Sequence, residues 1–382
     1  MRKDPLEKWT LQDASDLYNV RNWAKGYFSI SKRGTVAVHP NKDPEQFIDL
    51  KELVDQLVQR GIELPILVRF TDILPHRIGE MHEAFAVAIN ESEYNGNYCC
   101  VYPLKVNQQR HVVEEFLDFG KPYSFGLECG SKPELVAVLA LTHGSDTPVI
   151  CNGFKDDDYL EMIIFAQKMG KMVIPVVEKF NELNLVLKYA EELGVRPVFG
   201  VRVKPSARGS GRWKLSSGDR SKFGLTVTEL LRMLDILKDQ GKEDCLKLLH
   251  FHLGSQITNI RYIKRALNEA SRIYVDLHRQ GAGLEYIDVG GALGVDYDGS
   301  QTNFESSVNY TLQEYANDVV FGIGEVCEQE HVEPPSIVSE SGRMLVAYHA
   351  MLVTDVQAAI SGVDPEPPRM TGREAQVVED LA

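Results

Sequence analysis

Short apolar runs begin to recur at residue 97 and alternate with longer amphipathic stretches. The runs are NYCCVYPLKV (97–106), YSFGLEC (123–129), PVICNG (148–153), MVIPVVE (172–178), PVFGVRVK (197–204), LKLLHFHLGS (246–255), LEYIDVGG (284–291) and PSIVSESG (335–342). Each is short and largely apolar, which predicts a strand buried on both faces. The intervening stretches DDDYLEMIIFAQKMG, NELNLVLKYAEELG and ITNIRYIKRALNEASRIYVDLHRQG carry helical spacing. Eight strand–helix repeats predict a parallel sheet closed into an α/β barrel of the (β/α)8, TIM-like class. Upstream, residues 73–92 predict a helix with Ile73, Ile78, Met81, Phe85 and Ala88 on one face. Tyr27–Ile30 and Thr35–Val38, joined through Lys32-Arg33-Gly34, predict a hairpin in an N-terminal β region.

Polar residues collect where the apolar runs end: Lys105, Glu128, Asn152, His252, Ser255, Asp288, Glu340 and Arg343. In a parallel barrel those ends converge on one face, the one that carries active sites. Chain length agrees, because a barrel takes roughly 250 residues and this chain has 382. The expected division is 1–72 as the N-terminal β-containing region, 73–350 as the barrel, and 351–382 as the flexible start of a C-terminal region. The last segment reads GVDPEPPRMTGREAQVVEDLA, polar and Pro-rich.

Charge and cysteines narrow the function class. A net charge of −14 argues against nucleic acid or an anionic membrane as the main partner. Cys99, Cys100, Cys129, Cys151, Cys245 and Cys327 form no CxxC pair and no zinc-like cluster. Free cysteines in apolar runs imply a reducing compartment, and the N-terminus has no signal-peptide core, so a cytoplasmic location is expected. No run approaches ~18 apolar residues, so no membrane span is expected.

Four segments carry candidate chemistry. Lys105 ends the first run among apolar neighbours, and desolvation there would lower its pKa and free the amine for a Schiff base. The bland alternative is a lysine whose stem is buried and whose head reaches water. HFHLGSQ places His250 and His252 on one strand face, where a ring could lie flat on an aromatic cofactor, or simply fill the core. DVGGALG (288–294) is a Gly-rich turn able to cradle a phosphate, but Val289 breaks the dinucleotide-binding fingerprint. SESGR (339–343) follows the eighth run. The loops after strands seven and eight are where barrels place phosphate.

Taken in order, VYPLKVNQQR, LECGSKPEL, VICNGFKDDDY, SSGDRSKFGL, LLHFHLGSQITNIR, DVGGALGVDYDGS, SVNYTLQEYANDVV and SESGR resemble the fold-type III pyridoxal-phosphate decarboxylases with alanine racemase-like barrels. The likeness is closest to the biosynthetic arginine decarboxylase family and covers about residues 20–350. It implies pyridoxal 5′-phosphate as cofactor, magnesium dependence, L-arginine as substrate, agmatine as product on a polyamine route, and a homodimer or higher oligomer. Lys105, His252 and Glu340 are then the catalytic residues. Lys105 would hold the cofactor, Glu340 would pair with the pyridine nitrogen, and His252 would stack on the ring. Ser255, Gly290, Gly291, Gly342 and Arg343 would hold the phosphate, and Glu128 would orient Lys105. The loop Ile287, Asp288, Val289, Gly290, Gly291, Ala292, Leu293, Gly294, Val295, Asp296 and Tyr297 would face the substrate.

Two departures accompany the resemblance. Ala292 stands where the family has a third glycine. The family also continues into a C-terminal β region that completes the site, so this chain alone is expected to bind cofactor without efficient turnover. The alternatives are a catalytically impaired decarboxylase-like regulator, or another fold-type III enzyme such as a diaminopimelate or ornithine decarboxylase or a racemase. No metal site is assigned.

Overall fold

The computed structural model describes residues 8–142, 147–205 and 223–358. The N-terminal region contains α1 (Leu11–Leu17), α2 (Val20–Trp23), β1 (Phe28–Ile30), β2 (Val36–Val38), β3 (Ile48–Asp49), α3 (Leu50–Gln59) and β4 (Ile66–Arg69). Then come α4 (Ile73–Glu91), β5 (Tyr98–Pro103), α5 (Arg110–Gly120), β6 (Gly126–Cys129), α6 (Lys132–Leu141), β7 (Val149–Cys151), α7 (Asp157–Lys168), β8 (Val173–Val177), α8 (Phe180–Leu193) and β9 (Phe199–Arg202). The chain closes with α9 (Val227–Asp239), β10 (Leu246–His250), α10 (Ile260–Arg279), β11 (Tyr286–Asp288), α11 (Leu312–Gln329), β12 (Ser336–Ser339), α12 (Gly342–Val346) and β13 (Ala350–Val353).

Strands β5 to β12 run parallel in sequence order, and β12 pairs with β5 to close the barrel. The expected (β/α)8 class is therefore what the chain adopts. Val101, Ile150, Ile174, Val176, Leu248 and Val338 fill the barrel interior. A second, larger cluster lies between strands and helices, to which α4 contributes the expected face of Ile78, Met81, Phe85 and Ala88. Local chemistry starts the helices: Thr226 with Glu229 and Thr311 with Glu314 form capping boxes on α9 and α11.

The hairpin β1–β2 forms in antiparallel register and gains β3 as a third strand. Its apolar side packs Tyr27, Phe28 and Val38 with Phe70, Ile73, Val295 and Tyr348. The expected flexibility directly after residue 350 is corrected here. β13 pairs antiparallel with β4, and Tyr348, Met351 and Val353 pack with the N-terminal cluster. Residues 351–353 are thus ordered by backbone pairing rather than flexible, while 359–382 lie outside the described residues. Most of the insertion SGRWKLSSGDRSKFG (210–224), residues 210–222, also lies outside them.

Two strand ends fall short of the apolar runs. The run 246–255 yields β10 only to His250, and the chain beyond it turns at Gly254, φ +121°. Lys105 does not end β5: the strand stops at Pro103, and Lys105 sits on the 3-10 turn Leu104–Val106.

Candidate active site at the barrel mouth

Register sets the height of the site. Arg202 pairs with His250, His250 with Asp288, and Asp288 with Val338, so these side chains enter the barrel at one level. Glu128 pairs with Pro103 and Ile150 at the same mouth. Glu340 and Asn152 follow directly on β12 and β7. Glu128, Asp288 and Glu340 are all buried.

One amide joins two of these acids. Asn152 Nδ2 donates to Glu128 Oε1 at 3.1 Å and to Glu340 Oε1 at 2.5 Å. The Lys105 amine donates to Glu128 Oε2 at 2.8 Å. Asp288 Oδ1 accepts from the Gly290 N–H at 2.9 Å. Asp288 Oδ2 stands 2.9 Å from His250 Nδ1, off the line a hydrogen bond needs, and both atoms are left without a hydrogen-bond partner. Behind this layer Arg202 Nη1 donates to Glu178 Oε1 at 2.9 Å.

Burial and crowding shift the proton affinities together. Burial, reinforced by the Glu340 charge and opposed by Lys105, pushes the Glu128 carboxyl up to about 7. Burial raises Asp288 to about 7 against the Gly290 hydrogen bond. Burial and the neighbouring Asp288 raise Glu340. Burial lowers His250 to about 4 despite the nearby carboxylates. His252 falls well below the ordinary histidine value through burial and the Arg202 charge, so its ring is neutral. Gly291 N–H donates to His252 Nδ1 at 3.2 Å, which leaves the ring proton on Nε2.

Lys105 corrects the sequence expectation. Partial burial lowers its affinity, but the charges of Glu340 and Glu128 and the Glu128 hydrogen bond outweigh it, and the pKa is raised. The side chain stays 53% exposed. The desolvation that the apolar neighbours imply is outweighed, because the amine projects from a turn toward two acids.

A second group of residues builds a cup beside the acids. Arg343 Nε donates to Ser255 Oγ at 3.0 Å, and Arg343 Nη1 donates to the Tyr297 hydroxyl at 3.1 Å. Gly290 takes φ +67°, and a Cβ there would come within 2.7 Å of His252 Nδ1. A Cβ on Gly342 would lie 2.8 Å from Val106, so this glycine lets the β12–α12 turn pack on the turn that bears Lys105. Ala292 is buried and is not among the residues with positive φ, so the missing third glycine costs no backbone strain.

The eleven-residue loop narrows in the structure. Ile287, Val289, Ala292, Leu293 and Val295 turn buried side chains into the apolar core, so these side chains do not face a ligand. Asp288, Asp296 and Tyr297 carry the polar side chains, and the glycines offer backbone. Sequence reasoning set no role for Asn152, Glu178, Arg202 or His250. Their signal was present, as polar residues closing otherwise apolar runs.

These residues suit pyridoxal phosphate. The site offers an amine for the aldehyde, a buried acid for the ring nitrogen, a neutral flat imidazole, and a cup of guanidinium, hydroxyls and glycine backbone. Buried Asn152 Oδ1, Asp288 Oδ2 and His250 Nδ1 have hydrogen-bonding capacity left over, as expected where a ligand completes the set. His250, Asp288 and Glu340 also bring ligand atoms within 4.8 Å of one another.

Comparison with known proteins agrees with this reading. Residues 77–347 match the family described as pyridoxal-dependent decarboxylase, pyridoxal binding domain. The chain is 54% identical over 354 residues to the biosynthetic arginine decarboxylase of Rhodopirellula baltica, covering 93% of this chain and 53% of that protein. It is 50% identical to the enzyme of the same name from Phocaeicola vulgatus, covering 92% of this chain and 56% of that protein. The crystal structure of the biosynthetic arginine decarboxylase from Campylobacter jejuni superposes with a TM-score of 0.78 at 36% identity, covering 88% of this chain and 53% of that one. The chain thus spans about half the length of the curated relatives it matches.

Proposed function

Because the chain belongs to the pyridoxal-dependent decarboxylases, matched through their pyridoxal binding domain, we propose that it holds pyridoxal 5′-phosphate at the barrel mouth and converts L-arginine to agmatine and carbon dioxide. The observation that carries this is the Asn152 amide, which bonds Glu128 and Glu340 at once. It fixes the acid that serves Lys105 and the acid that would serve the ring in one rigid arrangement.

Bound there, pyridoxal phosphate supplies a conjugated ring that takes up the electron pair left when carbon dioxide departs. Lys105 holds the cofactor, and Glu128 is the nearest base for the proton on Lys105 Nζ. Glu340 keeps a proton on the pyridine nitrogen, with Asn152 fixing its carboxylate. His252, whose ring is neutral, would stack on the cofactor and keep water from that face. Arg343, Ser255, Gly290, Gly291 and Gly342 hold the phosphate. Gly291 and Tyr297, the residues of the 288–297 loop that are not buried, would border the ligand.

Arginine is favoured over other amino acids by the named relatives at 47–54% identity. Homo-oligomeric assembly and a magnesium requirement are further parts of the proposal. Magnesium is not assigned to His250, Asp288 and Glu340, because the ring nitrogen claims Glu340. The test offers the protein pyridoxal phosphate with L-arginine, L-ornithine or meso-diaminopimelate, and identifies products by mass spectrometry. Agmatine from arginine is expected. Putrescine or lysine as the main product, or no binding of pyridoxal phosphate, overturns the proposal; slow agmatine formation fits a chain that spans about half of its relatives.

A further inference from the structure

The loop that carries Tyr297 does not stand alone. Three contacts lash it to the N-terminal region, far away in sequence. Lys25 Nζ reaches Asp296 Oδ2 at 3.3 Å. Asn19 Nδ2 donates to the Asp298 carbonyl at 2.7 Å. Gly299, at φ +71°, lies so close that a Cβ would stand 2.6 Å from Trp23 N. The loop has internal ties as well: Ser307 Oγ donates to Asp296 Oδ1 at 2.6 Å, and Tyr297 N–H donates to the Ser306 carbonyl at 2.8 Å.

Asp296 is the hinge of this arrangement. Its side chain is 3% exposed, and Lys25 is the cation that reaches it. A buried carboxylate needs a charge partner or several donors to stay in place. The next residue in the chain is Tyr297, whose hydroxyl accepts from Arg343 Nη1. A hydroxyl that accepts from a guanidinium still has its own proton to give. It therefore presents an anion with a second donor beside Arg343.

We propose that Tyr297 is a phosphate-binding residue of the cofactor cup and that Lys25 is a positioning residue which acts on it through Asp296. The N-terminal region then tunes how the barrel grips the cofactor's phosphate without touching the ring. This deepens the cofactor reading above and rests on it.

The test compares equilibrium affinities for pyridoxal phosphate and for pyridoxal, which lacks the phosphate. Tyr297→Phe and Lys25→Met are each expected to weaken pyridoxal phosphate about 3–10-fold, the worth of one hydrogen bond, and to leave pyridoxal unchanged. Because Lys25 acts through Tyr297, the double variant should bind no more weakly than Tyr297→Phe alone. Lys25→Arg should restore affinity, while Lys51→Met, which breaks an exposed pair with Asp55 on α3, should change nothing. Equal weakening of both ligands by Lys25→Met, an undiminished effect of it in the Tyr297→Phe background, or no effect of either variant overturns the inference. An unaltered protein that does not prefer pyridoxal phosphate to pyridoxal overturns the cofactor reading itself, and this inference with it.

Discussion

Asp288 shows how much the barrel mouth changes an ordinary side chain. Its carboxyl is fully buried and pushed up from 3.8 to about 7 by that burial. Between those values the folded protein keeps a proton that the unfolded chain has released. Its contribution to stability therefore falls as pH rises from about 4 to about 7. His250, lowered from 6.5 to about 4, gives the opposite slope over much of the same window. The difference between variants is thus more telling than the raw curve. Asp288→Asn keeps an acceptor for the Gly290 N–H and removes the titration. Its melting temperature relative to the unaltered protein is expected to climb from pH 4 to pH 7 and then level. A difference that stays flat with pH contradicts the shifted carboxyl. Barrel closure brings together Lys105, Glu128 and Glu340, which the sequence reading named, with Asn152, for which it set no role, and the charge states were not legible. Lys105 reads as a desolvated amine in VYPLKVNQ, yet its proton affinity is set by Glu128 and Glu340, distant in sequence and brought in only by barrel closure.

At the scale of elements, the strands that line the barrel were the most legible, because burial on both faces leaves an apolar run with few readings. Their ends were less so. Apolar residues continue past the pairing into Phe251 and Leu253, which pack in the core from loops rather than from strands. The N-terminal elements α1, α2, α3 and β4 were not read from the sequence: β4 depends on pairing with β13 and α1 buries no residue, whereas α3 does carry helical spacing, with Leu50, Leu53, Val54 and Leu57 on one face. The β7–α7 connection gives a further prediction. Lys155 and Glu182 are both 0% exposed and 3.6 Å apart. The lysine also donates to the Gly153 and Val176 carbonyls, next to Asn152 and Val177. Lys155→Met leaves the buried Glu182 carboxylate with only the backbone N–H donors of Lys155 and Glu178, without its cation, and is expected to cost about 3 kcal/mol in urea denaturation. Adding Glu182→Gln should recover most of it. A single-variant loss below about 1 kcal/mol, the range of an exposed pair, contradicts this role.

Across the whole molecule, a closed barrel gathers eight strand ends on one face, and the N-terminal sheet packs with Val295 and Tyr348, near the group of Ser255, Tyr297 and Arg343. No helix among the described residues is long and apolar enough to cross a membrane. The six cysteines are free, as their scatter through apolar runs implied. The proposed function turns on a single amine, Lys105. Borohydride reduction of the protein with pyridoxal phosphate, followed by peptide mapping, addresses that amine directly. One labelled site, Lys105, is expected, and Lys105→Ala should abolish the label. Stoichiometric label at a different lysine, or label that persists in Lys105→Ala, contradicts the proposed site.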